Sequence, residues 1–191
     1  MALATVEKRK EFFKYLGLGE YNKANIKKFQ KKAFPDLPAE WDGDYGSKTD
    51  SALKHWYNVK RYTKNFVPEE FKCDCGGRYC TGYPTHMKQV ELEHVQRIRD
   101  KYGKPMQITS GLRCAVQNEK VGGVPYSRHL TGKAVDFYIA GVTDTLANRK
   151  KSIPQIKKMP NHRYTYGDGI DSDGAYRSAP GMGNVMHTEV K

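Results

Sequence analysis

His129 and Asp136 stand seven positions apart in Ser127-Arg128-His129-Leu130-Thr131-Gly132-Lys133-Ala134-Val135-Asp136, with a glycine between them. Behind them Ala134 to Ile139 alternates in the manner of a half-buried strand. Ala134, Asp136 and Tyr138 share one face, and Val135, Phe137 and Ile139 share the other. A carboxylate in such an apolar run is costly to bury without a partner. A metal ion answers that cost, and a histidine arriving from the preceding loop supplies a second ligand. A third candidate lies in Val185-Met186-His187-Thr188-Glu189-Val190, where Val185, His187 and Glu189 fall on one face of a short strand. Two histidines and one aspartate with an open fourth position form a hydrolytic zinc site. A hydrogen-bonded core histidine and a capping aspartate would produce the same His-x6-Asp spacing.

The order of motifs carries further information. S-x-H-x-x-G-x-A-x-D, with a strand histidine far downstream, resembles the M15 zinc peptidases, which are D-Ala-D-Ala carboxypeptidases and phage endolysins that cut peptidoglycan stem peptides. The likeness includes Ile108-Thr109-Ser110-Gly111-Leu112-Arg113-Cys114, Asn118 and Gly122-Gly123, and spans roughly residues 66–191. It implies zinc on His129, Asp136 and His187. It also implies that Arg113 holds substrate and steadies the tetrahedral intermediate, and that Ser127 orients substrate or the metal loop, although Ser127 could equally cap a turn.

Such an enzyme also needs a proton acceptor. Many M15 enzymes carry an acid three residues before the last zinc histidine, and here that residue is Asn184, whose amide cannot serve. Glu189 is the nearest acid in sequence. It is expected either as the catalytic base or as a hydrogen-bond partner of a ligand histidine. Asp168, Asp171 and Asp173 follow as candidates. Their loop imitates a calcium loop, but alignment on Asp171, Asp173 and Gly174 leaves Gly169 and Pro180 at the end positions where acids belong.

Several elements must position these groups. A helix from Thr85, closed by Gly103, carries Met87, Val90, His94, Val95, Ile98 and Tyr102 on one face, with His94 in a packing or hydrogen-bonding role. Met106–Thr109, Arg163–Tyr166 and Asn184–Val190 read as strands, and Thr143–Ile153 as a helix stopped at Pro154. Strands interspersed with helices indicate an α+β fold, and the family resemblance implies an antiparallel sheet.

Residues 1–62 form a predicted helical domain, with 66–191 as the peptidase domain. Val6, Phe12, Phe13 and Leu16 suggest one helix, ended by Gly17 and Gly19. Asn25 is a candidate cap for a second helix, which carries Ile26, Phe29 and Gln30. A glycine turn at Asp42-Gly43 then leads into a helix with Ala52, Leu53 and Trp56. Phe-Gln followed by Asp-Gly-x-x-Gly-x-x-Thr resembles the peptidoglycan-binding domain of wall hydrolases. A helical appendage that only stabilises the enzyme would look the same.

Cys73, Cys75, Cys80 and Cys114 are either buried free thiols or ligands of a second, structural zinc, although C-x-C-x4-C lacks the usual C-x2-C knuckles. Met1 to Leu16 has no apolar signal core, and no stretch approaches a membrane span. Synthesis in the cytoplasm, with action on the wall after release, is therefore expected. The net charge of +12 is divided evenly between residues 1–65 and the rest. It suits an anionic wall polymer, and no nucleic-acid module is legible. Peptidoglycan is the expected partner, with neither nucleic acid nor membrane, and the chain is expected to be a monomer. The alternative function is a catalytically impaired, zinc-containing wall-binding or phage structural protein.

Overall fold

The computed structural model describes residues 2–191, which form an α+β protein with six α-helices and one five-stranded antiparallel sheet. The strands are β1 (Gln107–Ser110), β2 (Ala134–Tyr138), β3 (His162–Gly167), β4 (Ile170–Asp171) and β5 (Met186–Val190), in the spatial order β1-β2-β5-β3-β4. The last strand in sequence is thus the middle strand in space. Its register places Asp136 opposite His187 on one side and Tyr166 opposite His187 on the other. The next row holds Ala134, Glu189 and Tyr164. Because side chains alternate along a strand, all of these except the alanine present polar or aromatic groups to one face of the sheet.

The opposite face is the core. Helix α4 (Gln89–Tyr102) packs across β2 and β5, and α6 (Leu146–Lys157) packs on β3 and β4. Beneath β5 a buried polar chain runs from His94 Nε2 to Thr188 Oγ1 (3.0 Å), to Thr165 Oγ1 (2.9 Å) and to His162 Nε2 (2.9 Å). It ties the middle strand to α4 and β3. His94 is therefore a hydrogen-bonding core residue, as its place on the helix face predicts.

The N-terminal helices α1 (Val6–Tyr15), α2 (Lys23–Ala33) and α3 (Ser47–Tyr62) are organised by Gln30, which is 2% exposed. Its amide nitrogen donates to Asp42 Oδ1 (2.8 Å) and the Asp44 carbonyl (2.9 Å), and its oxygen accepts from Gly43 N–H (2.7 Å). The Phe-Gln and Asp-Gly signatures of the sequence are thus one buried contact. The hydrophobic core continues from these helices into the sheet region. Trp56 Nε1 donates to Tyr83 Oη (3.2 Å), and α3 packs on α4. His55 is fully buried at this junction. Its Nε2–H donates to the Pro68 carbonyl (2.8 Å), and its Nδ1 accepts from Met87 N–H (3.4 Å). Burial holds its pKa down at about 4. No helix among the described residues is long and apolar enough to cross a membrane.

Element boundaries differ from expectation in several places, and three of the differences have a clear physical cause. The cap of α2 is Asn22, whose side chain accepts from Asn25 N–H, rather than Asn25 itself. Helix α4 starts at Gln89 rather than near Thr85, because residues before it are held by tertiary bonds: Met87 by His55 and Asn58, and Lys88 N–H by the Gly132 carbonyl. Helix α6 runs through Pro154. A proline there costs about 3 kcal/mol, and the burial of Ile153 and Ile156 on either side of it offsets that cost.

Gly132 sits at φ +70°, and a Cβ on it would overlap the His86 carbonyl oxygen and lie 3.0 Å from Met87 Cα. Gly132→Ala is expected to cost roughly 2–5 kcal/mol, the left-handed penalty plus forced repacking. Gly122 has a similar φ of +69° but open space around it, so Gly122→Ala should cost only about 1–2 kcal/mol. Urea denaturation of the two variants would measure the difference.

Candidate metal centre

His129, Asp136 and His187 converge although they come from separate elements. His129 lies on a short 3-10 turn, Arg128–Thr131, just before β2. Gly132 then turns the chain sharply enough for Asp136 to face it from the strand. His187 stands beside Asp136 on β5. His129 Nε2 is 3.3 Å from His187 Nδ1 and 3.3 Å from Asp136 Oδ1, and His187 Nδ1 is 2.8 Å from Asp136 Oδ1. Zinc with nitrogen and oxygen ligands at about 2.0–2.2 Å would space a tetrahedral donor set by roughly 3.3–3.6 Å, so the three donors are close to the spacing an ion needs.

The outward sides of both rings are also engaged. His129 Nδ1–H donates to the Gly111 carbonyl (2.6 Å), and His187 Nε2–H faces Glu189 Oε2 (3.4 Å). These acceptors fix the tautomers so that the remaining nitrogen of each ring is aimed at Asp136, the arrangement found around metal-ligating histidines. Gly111 is held in place by backbone. A Cβ there would meet Phe71 Cα and O at 2.6 Å.

The electrostatics favour a cation at this point. Burial pushes the Asp136 carboxyl up, yet hydrogen bonds from His129 and His187 outweigh it and hold the group far below the usual carboxylate range. His187 is buried between two carboxylates. Burial pulls it down, but Asp136 and Glu189 together push it up to about 9. His129 moves the other way, lowered chiefly by burial. The outer oxygen of Asp136 receives Arg113 Nη2–H, and Arg113 Nε–H donates to Ser110 Oγ (2.9 Å). Arg113 Nη1 has no partner among the described residues.

These groups form the floor of a cleft of about 470 Å³. Ser127 lines it and its hydroxyl makes no capping bond, so the turn-cap role is not the one it takes. Of the acids, only Asp136 and Glu189 reach the cleft. Asp168 Oδ1 accepts from Ala179 N–H. Asp171 accepts from Asp173 N–H, Ala175 N–H and Tyr164 Oη–H, and Asp173 pairs with Lys157. All three hold the 168–180 loop, and Asn184 is exposed outside the cleft. Glu189 is also paired with Arg163 Nε (3.3 Å).

Sequence reasoning did not single out Arg128, Arg163, Arg177 or Tyr166, all of which line the cleft. The Tyr166 ring lies 4.8 Å from the His187 ring, and Arg177 stacks over Tyr166 at 4.0 Å. The alternation of Tyr164 and Tyr166 was a visible signal of a shared strand face, but their neighbours on β5 depend on long-range pairing.

Residues 64–164, more than half of the chain, match the family model described as Peptidase M15. The matched segment contains Arg113, Ser127, His129 and Asp136 and ends before β5. No curated protein matches the chain.

With its pKa near 9, His187 carries a proton at pH 7 when no metal is bound, and Nδ1 must lose it to ligate. Zinc uptake at pH 7 is therefore expected to release close to one proton from His187, besides the share lost by a zinc-bound water, and the His187 contribution should fade as pH rises through about 9. Below that, affinity should weaken by about tenfold per pH unit. Calorimetric titration in buffers of differing ionisation enthalpy, on protein with its cysteines blocked, measures both.

Proposed function

The chain belongs to the M15 peptidase family, and on that premise we propose that it is a zinc-dependent hydrolase of peptidoglycan stem peptides. It would act as a D-Ala-D-Ala carboxypeptidase or as an endopeptidase, in the manner of a phage or prophage endolysin. One observation carries this reading: two imidazole nitrogens and a carboxylate oxygen, each oriented by a second contact, meet at the floor of an open cleft. A zinc ion held there would lower the pKa of a bound water to roughly 7 and polarise a peptide carbonyl.

The remaining work belongs to side chains. Arg113 neutralises the outer oxygen of Asp136, and its free Nη1 is available to a developing oxyanion. The Ser127 hydroxyl is available to orient a substrate amide. Arg128, Arg163 and Arg177 give the cleft a cationic rim suited to the free carboxylates of wall peptides. Of the two roles open to Glu189, the contact with His187 Nε2 favours holding the ring over taking the proton from water.

The helical segment is the wall-binding part of this reading. Lys10 and Lys14 lie one helical turn apart and line a concave surface with Tyr21. Both lysines are exposed, so reversing their charge leaves the core intact.

Zymography on purified cell walls tests the activity: a cleared band is expected for the wild type and none for His129→Ala. A chain that binds zinc and walls but clears nothing would be the impaired binding protein. Glu189→Gln is expected to weaken zinc binding by roughly 10–100-fold while sparing turnover at saturating zinc. Retained zinc with a loss of about 10²–10⁴-fold in rate would instead make Glu189 the proton acceptor. The double variant Lys10→Glu, Lys14→Glu should sediment less with walls and cleave a soluble stem peptide at the wild-type rate.

A further inference from the structure

Cys73, Cys75 and Cys80 lie on a loop without regular secondary structure, and Cys114 directly follows Arg113. One sulfur from each lies within 4.8 Å of the other three, and all four cysteines are free. Cys75 Sγ and Cys80 Sγ are 3.5 Å apart, in contact and unbonded. Four sulfurs bound to zinc at about 2.3 Å in a tetrahedron would stand roughly 3.8 Å from one another. The thiols are thus already near the spacing of a zinc tetrathiolate.

Ordinary burial as small apolar groups is the competing account, and two features count against it. The cysteines form their own cluster, apart from the continuous hydrophobic core that runs through the rest of the protein. Backbone N–H groups are also aimed at the sulfurs: Cys114 N–H at Cys73 Sγ (3.4 Å) and Gly82 N–H at Cys80 Sγ (3.4 Å). Thiolates bound to a metal attract such donors, and orienting them is a known role of groups around a metal site. Carbon-like packing has no use for them.

We infer that Cys73, Cys75, Cys80 and Cys114 hold a structural zinc ion in a closed four-sulfur site, separate from the His129–Asp136–His187 centre. Four protein ligands leave no position for water or substrate, so this ion would serve architecture rather than catalysis. Soft sulfur ligands favour zinc over the hard cations that oxygen sites take. The ion would clip the 73–80 loop to the segment bearing Arg113, whose backbone N–H donates to the His129 carbonyl (3.2 Å). This inference does not depend on the peptidase reading.

The test uses the full chain with His129→Ala and His187→Ala, which removes the imidazoles of the other centre and leaves every cysteine in place. After purification under reducing conditions and exhaustive dialysis, elemental analysis should find one zinc per chain. Titration with a mercurial reagent should then release that zinc in step with reaction of the four thiols. Cobalt substituted for zinc should show strong thiolate-to-metal charge-transfer absorption. A double variant that is folded, carries no zinc and shows four thiols reacting freely would overturn the inference. So would zinc that survives complete thiol modification, or a disulfide among the four. Metal content is read apart from activity, so a wild type with one zinc and a double variant with none would reject this site while leaving the His129–Asp136–His187 centre standing.

Discussion

A carboxylate placed on a strand that packs into a core has to be surrounded by donors or driven out, and Asp136 is surrounded. One oxygen meets two imidazoles and the other meets a guanidinium. Each of those donors reaches it by a different route: His129 through the turn at Gly132, His187 through strand pairing, and Arg113 from the loop after β1. The demands of one buried charge therefore dictate the geometry of three chain segments. Close backbone approaches at Gly111 and Gly132 leave no room for side chains because those segments are pressed together around it.

Strand pairing alone would leave this arrangement vulnerable, since a slip of one residue turns every side chain to the opposite face. The hydrogen-bonded line from His94 through Thr188 and Thr165 to His162 sits on the core face of β5 and resists such a slip. A displaced β5 would bury His187 under α4 and take Thr188 from its partners, leaving buried polar groups unsatisfied. The core face thus specifies the register that the cleft face uses.

The three residues that converge in the candidate metal centre were legible because their signal is local. A period of two places Asp136 on one face of β2, and the same period puts His187 and Glu189 together on β5. The cationic rim was not legible, since Arg163 and Arg177 approach His187 only through the pairing of β3 with β5 and the return of the 168–180 loop. Helix starts failed where tertiary bonds override local capping, as His55 and Asn58 do at Met87. The proline in α6 misled because burial of its neighbours outweighs its penalty. Gln30 and the Asp-Gly turn, separate signals in the sequence, meet in one buried hydrogen-bonded clamp, a contact that spacing alone does not show.

The placement of β5 also bears on biosynthesis. It is the last of the five strands to be translated, yet it occupies the middle of the sheet. While the ribosome is still working through the preceding loop, β2 and β3 each wait with an unsatisfied edge, exposed to the wrong partners. Pairing then closes contacts between residues as far apart as Asp136 and His187, an ordering that makes late, slow completion intrinsic to the topology. The third residue of the candidate metal centre, His187, arrives with the same strand. Premature termination anywhere before residue 187 would therefore leave the cleft without one of its three converging groups, and β2 and β3 without the strand that joins them.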